Sequence, residues 1–131
     1  MSYGHLSTEC DEYHALVRDF GGSRPTIVVL CGSTRFGEAF QVQNLRLTLA
    51  GFIVLSIGCD THSDQALWRD LDDAAIARIK ADLDELHKRK IDLADEVLVL
   101  NVGGYIGDST RSEVEYAQSL GRPIRYLEPQ S

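Results

Sequence analysis

The sequence predicts a single α/β domain, with a doubly wound, Rossmann- or flavodoxin-like, mostly parallel sheet of about four to five strands and helices on both faces. Two observations predict this fold. Short apolar, β-branched runs alternate with segments in which apolar residues recur at helical spacing. The length of 131 residues, of which 44% are hydrophobic, suits one domain with one core.

Three runs are typical of strands buried on both faces, because they are apolar without alternation and are bounded by turn residues. They span residues 26–31, 52–57 and 96–101, and a fourth, short strand is predicted at residues 124–127. Helical periodicity predicts three helices between these strands, over residues 36–50, 76–86 and 114–120. Residues 1–24 form an N-terminal extension, with a further amphipathic helix predicted at residues 7–20.

The charge and hydrophobicity of the chain limit the classes of partner that it can bind. Thirteen Lys and Arg residues against 20 Asp and Glu give a net charge of -7. Because this charge repels phosphate backbones, we expect a small-molecule partner and no nucleic-acid polymer. No stretch approaches the roughly 20 apolar residues that span a bilayer, and the N-terminus lacks the pattern of a signal peptide. We therefore expect a cytoplasmic protein with no membrane partner.

The three cysteines predict neither disulfides nor a metal site, since they are odd in number and share no close spacing. Cys31 lies in an apolar strand, where a small core residue is expected. Cys59 and His62 are close in sequence, but no second ligand pair accompanies them. We predict no metal and no cofactor.

Two strand-to-helix loops are predicted to bind the substrate, because ligands of such sheets lie beyond the carboxyl ends of the strands. The candidate residues of the first loop are Gly32, Ser33, Thr34, Arg35 and Phe36. Those of the second loop are Asn101, Gly103, Gly104, Gly107, Asp108, Ser109 and Thr110. Glycines let backbone N–H groups approach a ligand, and a helix start adds free donors for a phosphate or a sugar hydroxyl. The simpler alternative is that Ser109 or Thr110 only caps the helix.

Glu113 is the candidate nucleophile. It precedes Tyr116, Ala117 and Leu120 by three, four and seven residues, so it shares their face of the predicted helix. This spacing predicts an inward carboxylate, which burial would desolvate and the helix start would help to keep ionised. Such a group can attack an anomeric carbon. The alternative is a capping box, in which Glu113 folds back onto a helix cap at Thr110.

Three segments resemble the nucleoside 2-deoxyribosyltransferase-like superfamily, which includes nucleoside-monophosphate N-glycosidases. They read CGSTRFG, LADEVLVLN and GGYIGDSTRSEVEYAQSLGRPI, within roughly residues 26–127. The resemblance implies an enzyme that cleaves or transfers the N-glycosidic bond of a (deoxy)nucleoside or nucleoside 5′-monophosphate. It also implies that Glu113 is the nucleophile and that Gly32 and Ser33 lie at the sugar and base.

Two positions depart from that family. Gly107 stands where the family often has an Asp or Ser that touches the sugar or phosphate, so Asp108 or Ser109 would have to substitute. The family's acidic residue near the leaving base falls on His87, whose imidazole could donate the proton. Asp84 is the second candidate for the acid. Both residues lie in a charged run, so solvated side chains are the alternative for each.

Other interpretations of function and assembly stay open. The same fold can serve as a nucleotide-sensing module without turnover, although such a module has no need of an inward carboxylate at Glu113. The segment GGYIGDSTRSE also resembles the signature of cytokinin-type phosphoribohydrolases, without its proline and GT spacing. We expect a homodimer or a higher homo-oligomer that closes an open cleft, as in the resembled family. Residues 59–73 are predicted to cover the base, with Trp68 either stacked on it or packed in the core.

Overall fold

The computed structural model describes residues 24–57 and 69–130 of the chain, which form a four-stranded, all-parallel sheet and three α-helices. The strands are β1 (Ile27–Cys31), β2 (Ile53–Leu55), β3 (Glu96–Val99) and β4 (Ile124–Tyr126). The helices are α1 (Gly37–Leu49), α2 (Asp73–Leu93) and α3 (Asp108–Ser119). The predicted helix at residues 7–20, most of the predicted covering segment and Trp68 lie outside the described residues.

The strand order is β2-β1-β3-β4, so the chain leaves β1 toward one edge of the sheet and returns on its other side as β3. The register pairs Val28 with Val54 on one side and Val29 with Val97 on the other. This order places the topological switch point between β1 and β3, where doubly wound sheets form their ligand crevice. The two loops that the sequence singles out leave the carboxyl ends of these two strands.

Both faces of the sheet are covered by helices, as the uninterrupted apolar runs of β1 and β3 predict. The prediction of a buried strand is wrong for β2, none of whose residues is buried, because β2 lies at the edge of the sheet. On one face, Val29 and Val97 pack with α2 and α3 through Ile91 and Ala117. On the opposite face, alternate strand residues pack against α1 through Phe40 and Leu47. Cys31 is fully buried in the first of these clusters, so its predicted role as a core residue is confirmed. The predicted fold class is confirmed in full.

Helix α2 is buried over only part of its length. The spacing of apolar residues such as Leu83 and Leu86 predicts the helix, but these side chains are 42% and 52% exposed. Only the last turns of α2, with His87 and Ile91, are buried against the sheet. Apolar periodicity detects a helix face but does not show where along that face the sheet ends, and this explains the difference.

At the amino-terminal ends of the strands, Asp95 links the start of β3 to the start of β1. Its carboxylate accepts two hydrogen bonds from the Arg24 guanidinium, at 2.5 and 2.9 Å, and one from the Ile27 backbone N–H at 2.8 Å. These contacts hold the pKa of Asp95 at about 2, below its usual value, with the Arg24 hydrogen bond as the largest cause. The start of β1 is therefore fixed to the start of β3.

Among the described residues, no helix has the length and apolar character needed to cross a membrane.

Candidate active site

A cavity of about 430 Å³ opens at the carboxyl ends of β1 and β3. This volume is in the range of small-molecule sites. Ten of the residues predicted as catalytic or substrate-binding line it: Gly32, Ser33, Thr34, Asp84, His87, Gly107, Asp108, Ser109, Thr110 and Glu113. The first loop, α2 and the start of α3 each provide one wall. The fold thus gathers two loops and a helix that are far apart in the sequence around one opening.

Helix α3 begins one turn earlier than a cap at Thr110 would require. Its N-cap is Gly107, which has no side chain to cap the helix, and the first main-chain bond of the helix runs from the Arg111 N–H to the Gly107 carbonyl. Ser109 and Thr110 lie inside the first turn, so the interpretation that either residue caps the helix is wrong. The capping box is wrong for the same reason, because Glu113 lies nearly two turns into the helix. The first backbone N–H groups of α3 therefore have no intrahelical partner and lie at the cavity wall.

Glu113 lies on the inward face of α3, as its spacing to Ala117 predicts. Its side chain is only 9% exposed and lines the cavity floor. Burial, together with the nearby charge of Asp84, raises the pKa of Glu113 to about 8, although Lys88 opposes this shift. This raised pKa contradicts the expectation that the helix start keeps the carboxyl ionised, because Glu113 is desolvated and lies beyond the first helical turn, to which the effect of the dipole is confined.

His87 faces Glu113 across the cavity floor. Its Nε2 atom lies 3.4 Å from a Glu113 carboxyl oxygen and 3.4 Å from the Cys31 sulfur. Burial, and next the charge of Lys90, lower the pKa of His87 to about 4, although a hydrogen bond to the Leu30 backbone raises it. Near neutral pH the imidazole is neutral and Glu113 holds a proton, so the pair shares one proton between a carboxyl group and a base.

Asp84 lies one turn before His87 on α2 and is exposed to solvent at the cavity wall. It acts on Glu113 through its charge, which contributes to the raised pKa of that carboxyl. Of the two candidates for the proton donor, His87 is the one that the fold brings into contact with Glu113. The assignment of either residue as the acid stays a prediction.

Arg35 and Phe36 serve to join the two loops. The Arg35 guanidinium lies 4.1 Å from the centre of the Tyr105 ring and donates a hydrogen bond to its hydroxyl at 3.1 Å. Phe36 makes an edge contact with the same ring, with centroids 5.9 Å apart. Neither Arg35 nor Phe36 lines the cavity, whereas Tyr105 does. Their contact with substrate stays a prediction, and the structure shows them supporting Tyr105.

Three further predicted residues, Asn101, Gly103 and Gly104, hold the second loop in position without lining the cavity. The Asn101 side chain is buried and exchanges two hydrogen bonds of 2.9 Å with the Glu128 backbone. The Gly103 N–H donates to the Glu128 carboxylate at 2.9 Å. Gly103 and Gly104 both have positive φ, of 63° and 81°, which glycine adopts without strain. Asn101, Gly103 and Gly104 lie outside the cavity lining and fix the path of the loop.

Sequence reasoning missed six cavity residues: Ile57, Lys80, Leu83, Leu86, Lys90 and Tyr105. Tyr105 had a detectable signal, since it is the one aromatic residue among the loop glycines. The others had none, because only the packing of α2 against α3 and β1 shows which helix residues face the opening, and Ile57 joins them only in the fold. Lys90 is positioned by a 2.6 Å hydrogen bond to the Ser56 carbonyl.

Cys31, His87 and Glu113 form a group of potential metal ligands in the described part of the chain. One ligand atom of each lies within 4.8 Å of those of the other two, and all three residues are buried. The absence of a metal was predicted from cysteine spacing in the sequence, and that criterion does not detect residues that converge only in the fold.

Comparison with protein-family models, with curated proteins and with solved structures finds no match to this chain.

Proposed function

We propose that the protein cleaves or transfers the N-glycosidic bond of a nucleoside or nucleoside 5′-monophosphate, with Glu113 as the attacking carboxylate. The observation that carries the proposal is the contact between Glu113 and His87 at the floor of the cavity. Displacement at an anomeric carbon needs a nucleophile and a proton donor for the leaving base. A buried carboxyl and imidazole that share one proton can supply both.

The first step begins with transfer of that proton from Glu113 to His87. Their 3.4 Å separation is long for a hydrogen bond, and such contacts often tighten when substrate binds. The freed carboxylate attacks the anomeric carbon, and the carbon–nitrogen bond to the base breaks. The base leaves with the proton from the His87 imidazolium. The products of this step are a glycosyl ester on Glu113, a neutral His87 and the free base.

The second step regenerates the pair. Water, or the nitrogen of a second base, attacks the anomeric carbon of the ester, and the bond to Glu113 breaks. His87 accepts the proton that the attacking group loses. Hydrolysis and transfer differ only in this acceptor, and the pair again holds one proton at the end of the cycle.

The two loops suit the sugar and its substituents. Ser33 and Thr34 line the opening with hydroxyl groups, together with the first turn of α3, whose first backbone N–H groups have no intrahelical partner. Close packing favours glycine at position 32, because a Cβ atom there would make a tight contact of 3.1 Å with the Leu100 Cβ. The ring of Tyr105, held by Arg35, offers an apolar surface on which a base can stack.

The test is incubation of the purified protein with a panel of nucleosides and 5′-monophosphates, with chromatographic detection of free base. Activity toward at least one member, together with a mass increase on Glu113 from a slowly hydrolysed analogue, supports the covalent route. The matched variant is Asp95→Asn, which removes a carboxylate at the opposite edge of the sheet. It should release base at the wild-type rate. A protein that binds a panel member without releasing base is a sensor, and the proposal is then wrong.

We also propose that the protein forms a homodimer or higher homo-oligomer. Leu83 and Leu86 are exposed where α2 borders the cavity, and a neighbouring subunit would shield them and close the opening. Analytical ultracentrifugation at micromolar concentration measures the mass directly. A dimer that dissociates in Leu86→Glu supports this surface, whereas a monomeric wild-type protein excludes it.

A further inference from the structure

We propose that Cys31, His87 and Glu113 bind a thiophilic divalent cation such as Zn²⁺, and that this cation inhibits the enzyme by occupying the nucleophile. The three side chains converge from β1, α2 and α3, so no short sequence motif connects them. Metal binding itself is independent of the reaction. Only the inhibition rests on the proposed function.

Two of the three distances between the ligand atoms fit a tetrahedral ion, and the third, between Cys31 and Glu113, is within 4.8 Å. The Cys31 sulfur and a Glu113 carboxyl oxygen each lie 3.4 Å from His87 Nε2. Zinc–sulfur bonds of about 2.3 Å and zinc–nitrogen or zinc–oxygen bonds of about 2.0 Å place neighbouring ligand atoms about 3.3–3.6 Å apart in a tetrahedron. The nitrogen–oxygen separation is longer than an ordinary hydrogen bond of about 2.7–3.2 Å, and it matches the tetrahedral edge better.

The donor set selects the type of metal. A thiolate and an imidazole favour Zn²⁺ and related soft ions, whereas Mg²⁺ and Ca²⁺ prefer oxygen ligands alone. A bound thiolate and carboxylate would neutralise the two charges of the cation inside a buried site. The His87 ring also hydrogen-bonds the Leu30 backbone. A contact of this kind commonly orients a histidine that ligates a metal.

The cavity provides access and the fourth coordination position. His87 and Glu113 line the cavity, so an ion entering from solvent meets these two side chains first, and the sulfur of the fully buried Cys31 lies 3.4 Å from His87 Nε2. Water from the cavity would complete the tetrahedron. In this arrangement a Glu113 oxygen donates its electron pair to the metal and cannot attack an anomeric carbon.

Cobalt is the probe for the site, because tetrahedral Co²⁺ bound to a thiolate gives a charge-transfer band in the near ultraviolet and intense visible bands. We expect titration of the wild-type protein with Co²⁺ to produce both, with one ion bound per chain. Cys31→Ala and His87→Ala should abolish the charge-transfer band or weaken Co²⁺ binding at least about tenfold. Cys10→Ala and Cys59→Ala are the matched controls and should retain the wild-type spectrum. No thiolate band in the wild-type protein, or a band that survives Cys31→Ala, would overturn the proposal.

X-ray absorption of the zinc-loaded wild-type protein keeps the test independent of whether these variants fold. We expect one sulfur scatterer at about 2.3 Å and the remaining scatterers as nitrogen or oxygen at about 2.0 Å. A coordination shell with no sulfur, or with two, contradicts the site. Inhibition is then measured as base release against Zn²⁺ concentration, and Zn²⁺ should lower kcat, because the metal-bound Glu113 carboxylate cannot attack. If no panel member releases base, the proposed function fails while the cobalt spectrum still decides the metal site.

Discussion

Two carboxyl groups, at opposite ends of the strands of the same sheet, illustrate how their surroundings shift the pKa of a carboxyl group in opposite directions. Asp95, at the amino edge, is 37% exposed and accepts three hydrogen bonds, and its pKa is lowered to about 2. Glu113, at the carboxyl edge, is 9% exposed, and its pKa is raised to about 8. Donors and water stabilise the charge of Asp95, whereas desolvation opposes the charge of Glu113.

The difference shows where chemistry can be located. The carboxylate of Asp95 has low reactivity, because its negative charge is already stabilised by hydrogen bonds from Arg24 and the Ile27 N–H. Glu113 holds a proton that His87 can accept, and its carboxylate, once formed, has few partners within the protein. A carboxyl group with a perturbed pKa in a cavity is a good candidate for a functional group, whereas one perturbed by an exposed ion pair is not.

The largest expected effect is on turnover. Glu113→Gln keeps the size of the side chain and removes the nucleophile, so base release should fall on the order of 10³-fold or more. The measurement is kcat on whichever panel member the wild-type protein cleaves best, with substrate binding followed by calorimetry. Asp95→Asn should keep wild-type turnover. Glu113→Gln with most of its activity would show that the two carboxyl groups do not differ as we argue.

The pH dependence of kcat/KM should distinguish a mechanism in which Glu113 and His87 share one proton from a mechanism in which Glu113 acts alone. The pair holds one proton between the pKa of His87, lowered to about 4, and that of Glu113, raised to about 8. We expect activity to be level between these limits and to fall above pH of about 8, because the last proton is then lost. A rate that instead keeps rising above this pH would remove His87 from the role of acid.

The contributions of Glu113 and Asp95 to the free energy of unfolding should depend on pH in opposite directions. The raised pKa of Glu113 stabilises the fold fully below about 4.5, and this contribution is lost as the pH rises through about 8. Glu113→Gln has no such loss, so its free energy of unfolding relative to that of the wild-type protein should rise by on the order of 5 kcal/mol between pH of about 4 and pH of about 9. Urea unfolding at several pH values measures this difference. Equal slopes for both proteins would contradict the buried, protonated carboxyl.

The smallest expected effect is at Asp95. Its lowered pKa adds stability that is present above about 3.8 and is lost as the pH falls through about 2. Because the ion pair with Arg24 is exposed and screened by solvent, Asp95→Ala should lower the free energy of unfolding by only about 1 kcal/mol at pH 7. Thermal unfolding with and without added salt checks this. A loss several times larger would mean that Asp95 is a buried contact.

Sequence patterns predicted the sheet well because uninterrupted apolar runs mark strands covered on both faces, and helical spacing placed Glu113 inward. They did not predict the group formed by Cys31, His87 and Glu113. Cys31 and His87 are 56 residues apart and meet only through the parallel crossovers. The residue that forms the N-cap of α3 was also predicted wrongly. Hydroxyl residues favour capping in general, but here the loop enters the helix at Gly107 and leaves the first amides facing a cavity.

The uneven packing of α2 has a consequence for hydrogen exchange. Its final turns, around Ile91, are anchored under the sheet, whereas the turns that carry Leu83 border the cavity with little core beneath them. Amide protection should therefore decrease from the carboxyl end of this helix toward its amino end. The amino-terminal turns of α2, which form this wall of the cavity, should therefore open by local fraying. His87, near the buried carboxyl end of the helix, should stay in position.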